Sequence, residues 1–206
     1  MDSILRPLNI GLWQPLENIR YAPIFWSGIG IAYSRDKTLT FTNINSILNA
    51  RKARAGKALE HHLSAIFTAN SLAFEEQVIT ENGKKPDFLF PNGKCYHHFE
   101  FPSNKLTILG AKTTCRDRWN QVASEAKRAD FKYLFTTQPG MSISQLTSLE
   151  SLRVGVVVPK QNIETFPKSF QNKIWSLAKF IAMVKEQQAT IPSQFLPFLK
   201  NNRCKV

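Results

Sequence analysis

The chain has 206 residues, enough for one domain with a substantial hydrophobic core. It contains 27 Lys and Arg against 15 Asp and Glu, a formal net charge of +12, and so basic a protein usually binds a polyanion, with nucleic acid the first to consider. No run reaches the ~20 apolar residues that cross a bilayer, and the N-terminus lacks the charged and then apolar regions of a secretory signal. The three irregularly spaced cysteines argue against a disulfide framework, so we expect a cytoplasmic protein.

The first half of the chain is predicted to contain one long helix followed by short strands. Residues 1–45 are rich in aromatic and turn residues without a clear period, and we treat them as an N-terminal segment available for contacts with DNA. Residues 47–70 carry apolar side chains at helical spacing, at Leu59, Leu63 and Ile66, and the first half of this helix is basic. Strands are predicted at FEEQVI (74–79), PDFLF (86–90) and YHHFEF (96–101), with NGK turns at 82–84 and 92–94 between them.

The second half alternates strands with helices. The strand KLTILGAKT (105–113), the helix RDRWNQVASEAKRA (116–129) and the strand FKYLFTTQ (131–138) predict a parallel pair joined by a right-handed crossover. The helix SISQLTSLESL (142–152), the strand RVGVVVP (153–159) and a closing helix at 168–188 follow. Residues 46–206 are therefore predicted to form the core of a single compact α/β domain.

Three charged residues suggest a site for phosphodiester hydrolysis. Asp87 and Lys112 fall on neighbouring predicted strands, where a carboxylate can bind Mg²⁺ and an ammonium can orient water or stabilise charge at phosphorus. Such a site often has a second acid two residues before the lysine, on the same strand face, but that position is Gly110. Another element must then supply the acid: Glu125 in the following helix can do so, and Glu60 on the first helix could add a third acid. Taken singly, each acid is more often a turn residue or a solvated charge.

The segments RAGKALEHHL, KPDFLFP followed by Tyr96, and AKTTCRDRWNQVASEA resemble those of the EcoRII catalytic-domain family of Type II restriction endonucleases, within the PD-(D/E)XK superfamily. The resemblance spans roughly residues 47 to 185 and is most specific at AKTTCRDRW. It implies a restriction-endonuclease-like fold, with a central mixed sheet flanked by helices, and Mg²⁺-dependent cleavage of double-stranded DNA. It also implies catalytic positions at Asp87, Lys112 and Glu125, metal binding by Asp87 and Glu125, a tyrosine near the active site at Tyr96, and the first-helix acid at Glu60.

Recognition of DNA is assigned to three groups of residues. Arg pairs with guanine O6 and N7 and Asp accepts from cytosine N4, so the motif Arg116, Asp117 and Arg118 can read adjacent G·C pairs, and the family uses it for CC/GG half-sites. Arg51, Arg54 and Lys57 are expected to contact phosphates, unless they form only a solvated helix face. The family flips the central bases of its site, which makes Arg20, Tyr21 and Trp26 candidates for the base-binding pocket.

The function predicted from the sequence is a Type II restriction endonuclease that acts as a homodimer, because two-fold protein symmetry matches two-fold DNA symmetry. CCGG, CCNGG and CC(A/T)GG sites all remain open, with the last (CCWGG) favoured by the resemblance. One alternative is a less specific repair or junction nuclease of the same superfamily. Another is a DNA-binding module that has lost catalysis, which the intact set Asp87, Lys112 and Glu125 disfavours. A structural zinc site is disfavoured because the paired histidines have no ligand spacing.

Overall fold

The computed structural model describes residues 41–115 and 119–199, and their side chains over 49–115 and 122–199. The chain divides into two compact units, Met1–Ala58 and Leu59–Val206. Of the first unit, the described residues are 41–58, which are helical. The predicted division after residue 45 stays a prediction, since residues 1–40 lie outside the described part.

The elements are numbered along the described residues. Helices are α1 (Phe41–Ala69), α2 (Gly93–His97), α3 (Trp119–Ser124), α4 (Ile143–Ser151), α5 (Lys168–Gln171), α6 (Leu177–Ala189) and α7 (Leu196–Leu199). Strands are β1 (Glu75–Glu76), β2 (Phe88–Phe90), β3 (Thr107–Lys112), β4 (Phe131–Thr136), β5 (Val154–Val158) and β6 (Trp175–Ser176). None of the helices in this part of the chain is both long and apolar enough to span a membrane.

The strands of the described chain form one mixed sheet in the order β1-β2-β3-β4-β5-β6. The first three strands pair antiparallel, whereas β3 to β6 run parallel, as predicted for β3 and β4. The central strands are nearly continuous apolar runs because both faces of a parallel sheet are covered. The sheet therefore has an antiparallel edge, which carries β1 and β2, and a parallel remainder.

Alternation along the strands divides the core into two layers. On one face Ile108 and Leu134 pack in a cluster with Val122 of α3 and Leu146 of α4. The opposite face is aromatic: the ring of Phe67 in α1 lies 5.2 Å from those of Phe88 and Phe90 in edge-on contacts. Phe180 of α6 completes this layer, 5.7 Å from Phe90. The part of α1 from Leu59 onward and α6 thus cover one face of the sheet, and α3 and α4 cover the other.

Two predicted elements are wrong. Residues 96–101 do not form a strand, because Asn92 begins α2: its side chain accepts the backbone N–H of Cys95, so the second NGK is a helix start. The closing helix predicted at 168–188 is interrupted by β6, after which the Ser176 side chain accepts the N–H of Lys179 and begins α6. Two further elements are shorter than predicted, since FEEQVI forms only the two-residue β1 and α3 ends at Ser124.

Candidate active site

Asp87 and Lys112 meet at the antiparallel edge of the sheet. In the pairing of β2 with β3, Phe88 lies opposite Leu109, so Asp87, just before β2, lies beside the end of β3. The Nζ of Lys112 donates to Oδ2 of Asp87 at 2.7 Å, and the backbone N–H of Ala111 donates to the same oxygen at 2.7 Å. Asp87 is only 9% exposed. The predicted proximity of the carboxylate and the ammonium is therefore observed, while their chemical role stays a prediction.

The other oxygen of Asp87 is bound by Gln77, which directly follows β1. The Nε2 of Gln77 donates to Oδ1 of Asp87 at 3.2 Å, and the backbone N–H of Gln77 donates to the carbonyl oxygen of Asp87 at 3.4 Å. Sequence analysis did not single out Gln77. Its position depends on a left-handed backbone at φ 53°, for which a glutamine in a strand-like segment gives no signal.

Glu60, the acid predicted on the first helix, lies within electrostatic reach of this pair. Burial and the Asp87 carboxylate raise the pKa of Glu60, while the Lys112 ammonium opposes the rise. Glu76 of β1 raises the pKa of Glu60 further, and it is a second acid that sequence analysis missed. Glu60, Glu76 and Asp87 are therefore within electrostatic range of one another and of the Lys112 ammonium.

Glu125 directly follows α3 and is 4% exposed. Burial lowers the pKa of Lys132, and the carboxylates of Glu81 and Glu125 partly offset this effect. Glu125 therefore lies near Lys132. Among the residues that the structure describes, no three His, Cys, Asp or Glu side chains are arranged to hold a metal ion. The predicted set Asp87, Glu125 and Glu60 thus does not form a three-carboxylate cluster in this conformation.

The segment before Glu125 is attached to the sheet by two lysines and one close packing contact. The Nζ of Lys132 donates to the carbonyl of Ala123 at 2.7 Å, and the Nζ of Lys84 donates to that of Ser124 at 3.1 Å. Both carbonyls belong to the last turn of α3, where backbone acceptors lack partners within the helix.

Gly110 provides the packing contact between β3 and α3. A Cβ added at Gly110 would lie 2.6 Å from Cγ2 of Val122. A side chain at this position would collide with Val122 of α3, which is a structural reason for the absence of an acid two residues before Lys112.

Tyr96 of α2 is buried, with 2% of its surface exposed, and its hydroxyl is bound away from Asp87. The hydroxyl lies 2.6 Å from each carboxylate oxygen of Glu81, to which it donates. The backbone N–H of Arg128 donates to the Tyr96 hydroxyl at 3.4 Å, and that of Lys127 donates to Glu81 at 3.2 Å. Burial and the Glu81 hydrogen bond raise the pKa of Tyr96. Burial opposes ionisation of Glu81, but the hydrogen bonds it accepts outweigh this and lower its pKa. Tyr96 and Glu81 together hold the turn that follows Glu125.

The predicted DNA-reading residues lie largely outside the described part of the chain. This holds for Arg116, Asp117, Arg118, Arg20, Tyr21 and Trp26. Cys115, which precedes Arg116, forms hydrogen bonds through both of its backbone polar groups. Its N–H donates to Oε1 of Gln138 at 2.8 Å, and its carbonyl accepts from Nε2 of Gln145 at 3.5 Å. The basic residues Arg51, Arg54 and Lys57 are exposed on α1.

Comparison with known proteins identifies the family. The family model described as EcoRII C terminal matches residues 17–181, more than half of the chain. The chain belongs to the EcoRII C-terminal family. A curated member, the Type II restriction enzyme EcoRII of Escherichia coli, is 43% identical over 188 residues, which are 91% of this chain and 45% of that protein. The chain thus spans just under half the length of this relative.

Two solved structures share the fold of this member of the EcoRII C-terminal family. Metal-depleted Ecl18kI in complex with uncleaved, modified DNA has a TM-score of 0.61 at 22% identity, covering 91% of this chain and 61% of the other. Metal-depleted Ecl18kI in complex with uncleaved DNA also has a TM-score of 0.61, at 20% identity, covering 98% of this chain and 64% of the other. The predicted restriction-endonuclease-like α/β fold and the predicted family membership are both confirmed.

Proposed function

We propose that this chain is the catalytic unit of a Type II restriction endonuclease, which cleaves double-stranded DNA in the cytoplasm in a reaction that requires Mg²⁺. The observation that carries the proposal is the contact of Lys112 Nζ with Asp87 Oδ2 at 2.7 Å, where β2 pairs with β3 in the mixed sheet of an EcoRII C-terminal family member. Its relatives are described as a restriction enzyme and as a protein bound to DNA, and the basic composition of this chain fits a DNA substrate.

The residues of the site suit a hard divalent cation. Carboxylate oxygens are the protein ligands that Mg²⁺ prefers, and Asp87 and Glu125 would hold the ion, with Glu60 nearby. When bound, Mg²⁺ supplies polarisation of the scissile phosphate and a lower pKa for coordinated water. Burial and then the Asp87 carboxylate raise the pKa of Glu60, so Glu60 lies within electrostatic range of Asp87.

Lys112 is assigned the role of orienting the attacking water and stabilising the charge that develops on the phosphate. Its ammonium has three N–H donors, and the bond to Asp87 uses one of them. The remaining donors can reach a water and a phosphate oxygen, while the bond to Asp87 keeps the ammonium in place before the substrate arrives. Stabilisation by a preorganised charge of this kind requires little rearrangement during the reaction.

Specificity for a CC/GG site, with CCWGG favoured, is assigned to Arg116, Asp117 and Arg118. Hydrogen bonds from Gln138 and Gln145 hold the backbone of Cys115, the residue that precedes this segment in the sequence. Phosphate contacts are assigned to Arg51, Arg54 and Lys57, and the pocket for flipped central bases to Arg20, Tyr21 and Trp26. A homodimer in which each subunit reads one half-site is the arrangement that a two-fold site favours.

Digestion of a randomised duplex DNA library, followed by sequencing of the cut ends, tests this proposal. We expect cleavage in Mg²⁺ and none in EDTA, with ends enriched in one symmetric CC/GG sequence. Cut ends without a shared sequence would favour a repair or junction nuclease. Retention of DNA without cleavage would favour a binding module.

A further inference from the structure

The hydrogen bonds of Asp87 use three of its four lone pairs. A carboxylate oxygen accepts two hydrogen bonds in this count, and Oδ2 receives two at 2.7 Å, from Ala111 N–H and Lys112 Nζ. Oδ1 receives one, from the side-chain amide of Gln77 at 3.2 Å. The remaining lone pair of Asp87 is therefore on Oδ1, the oxygen that accepts the hydrogen bond from Gln77.

Gln77 makes two contacts with Asp87, and its backbone is strained. Its side-chain amide binds Oδ1 and its backbone N–H donates to the carbonyl of the same residue. Its φ of 53° lies in the left-handed region, which residues other than glycine seldom adopt. The side chain is exposed, so apolar burial does not account for this conformation. Strained backbone persists where the surrounding structure holds it, often beside functional groups.

We propose that Gln77 is a positioning residue for the metal site: its amide holds Oδ1 of Asp87 so that the remaining lone pair of this oxygen is presented to the divalent cation. The inference rests on the proposed function, in which Asp87 is a ligand. Carboxylates that bind metals are commonly held by hydrogen bonds from a second layer of residues, and losing such a bond typically weakens metal binding by about 10–100-fold. Gln77 thus adds to the site a neutral amide that lies outside the segments on which the resemblance to the family was recognised.

A purely structural role for Gln77 makes a different prediction. If the amide only closes the edge between β1 and β2, then its loss should lower stability and leave metal affinity as it is. Gln77→Gly separates the two roles, since glycine removes the amide and also accepts a positive φ without strain. Gln77→Asn keeps an amide and tolerates this backbone, but its side chain is one methylene too short to reach Oδ1 in the same place.

The experiment is a calorimetric titration of the full chain with Ca²⁺, in which no cleavage is measured, together with thermal unfolding. We expect Gln77→Gly and Gln77→Asn to bind Ca²⁺ about 10–100-fold more weakly than the unchanged chain, with the unfolding midpoint of Gln77→Gly unchanged or raised. Arg153→Gly is the matched control, because Arg153 has φ 55° and its backbone N–H donates to Glu150. The Arg153→Gly variant should likewise keep or raise its unfolding midpoint, because glycine accepts the positive φ, and it should bind Ca²⁺ as tightly as the unchanged chain.

Asp87→Asn separates failure of this inference from failure of the proposed function. Loss of Ca²⁺ binding in Asp87→Asn together with normal or tighter binding in Gln77→Gly would overturn the role of Gln77 alone. Normal binding in Asp87→Asn, or absence of binding by the unchanged chain, would overturn the metal site and with it this inference. A fall in stability of Gln77→Gly without a change in Ca²⁺ affinity would assign Gln77 to the structure of the sheet edge.

Discussion

Replacing Gly110 by Ala should destabilise the protein and slow DNA cleavage, because the new methyl group collides with α3. A Cβ at this position lies 2.6 Å from Cγ2 and 3.5 Å from Cγ1 of Val122. Carbon atoms pack at about 3.5–4.0 Å, so the Val122 side chain, α3 or β3 must move by roughly 1 Å. Overpacking of this kind costs about 1–3 kcal/mol of unfolding free energy. Glu125 follows α3, and a displacement of about 1 Å in a catalytic group can reduce the rate about a hundredfold.

Urea unfolding and single-turnover cleavage of Gly110→Ala, Val122→Ala and the double variant measure both effects. Val122→Ala alone should cost about 2 kcal/mol, since it removes two buried methyl groups. In the double variant the collision is gone, so its loss of stability should be at least ~1 kcal/mol smaller than the sum of the two single losses. Gly56→Ala is the control, because its Cβ meets nothing within 4 Å and helix propensity should stabilise it by about 0.5–1 kcal/mol. Additive losses, or a neutral Gly110→Ala, would refute the packing argument.

Three further predictions concern other parts of the site. Glu125→Ala should abolish cleavage in Mg²⁺ while DNA binding in Ca²⁺ persists, and a fully active variant would place the second acid elsewhere, at Glu60 first. Tyr96→Phe removes the hydrogen bond to Glu81 and should lower the unfolding free energy at neutral pH. The loss should be only about 1 kcal/mol, because the Glu81 carboxylate is partly solvated. The Tyr96 hydroxyl lowers the pKa of Glu81 in the folded protein. The difference in unfolding free energy between the unchanged chain and Tyr96→Phe should therefore be present above the pKa of Glu81 in the unfolded chain, and it should vanish as pH falls through the pKa of Glu81 in the folded protein. Urea unfolding at several pH values measures this difference. Arg54→Ala should weaken binding to all DNA sequences and reduce by about one unit the slope of log affinity against log salt concentration. Arg116→Ala should instead lose about 1–3 kcal/mol of discrimination at one G·C pair. Titration with cognate and random duplexes measures both effects.

The centre of the fold and the pair of Asp87 and Lys112 could be predicted from the sequence. The strands β3, β4 and β5 are apolar runs of strand length bounded by turn residues, and an intervening helix implies a parallel pair. Adjacent strands then place residues at their ends side by side. The contact of Asp87 with Lys112 follows from the pairing of the neighbouring strands β2 and β3.

Other features depend on interactions that periodicity does not report. The YHHFEF segment looks like a strand by its alternation, but the side chain of Asn92 begins a helix that includes its first two residues. Ser176 ends β6 and begins α6 within one continuous apolar pattern. The contact of Tyr96 with Glu81 joins separate turns, and that of Gln77 with Asp87 requires a left-handed backbone, so neither has a sequence signature.

The most direct test of the central claim, that Asp87 and Lys112 form the catalytic pair, is the rate of plasmid cleavage in Mg²⁺ by Lys112→Ala and by Lys173→Ala. Lys173 donates to Glu150 at 2.6 Å in an exposed ion pair, so its variant removes a similar contact elsewhere on the chain. We expect Lys112→Ala to cleave several orders of magnitude more slowly while still binding DNA, and Lys173→Ala to cleave at the rate of the unchanged chain. A Lys112→Ala variant that cleaves at a near-normal rate would contradict the account.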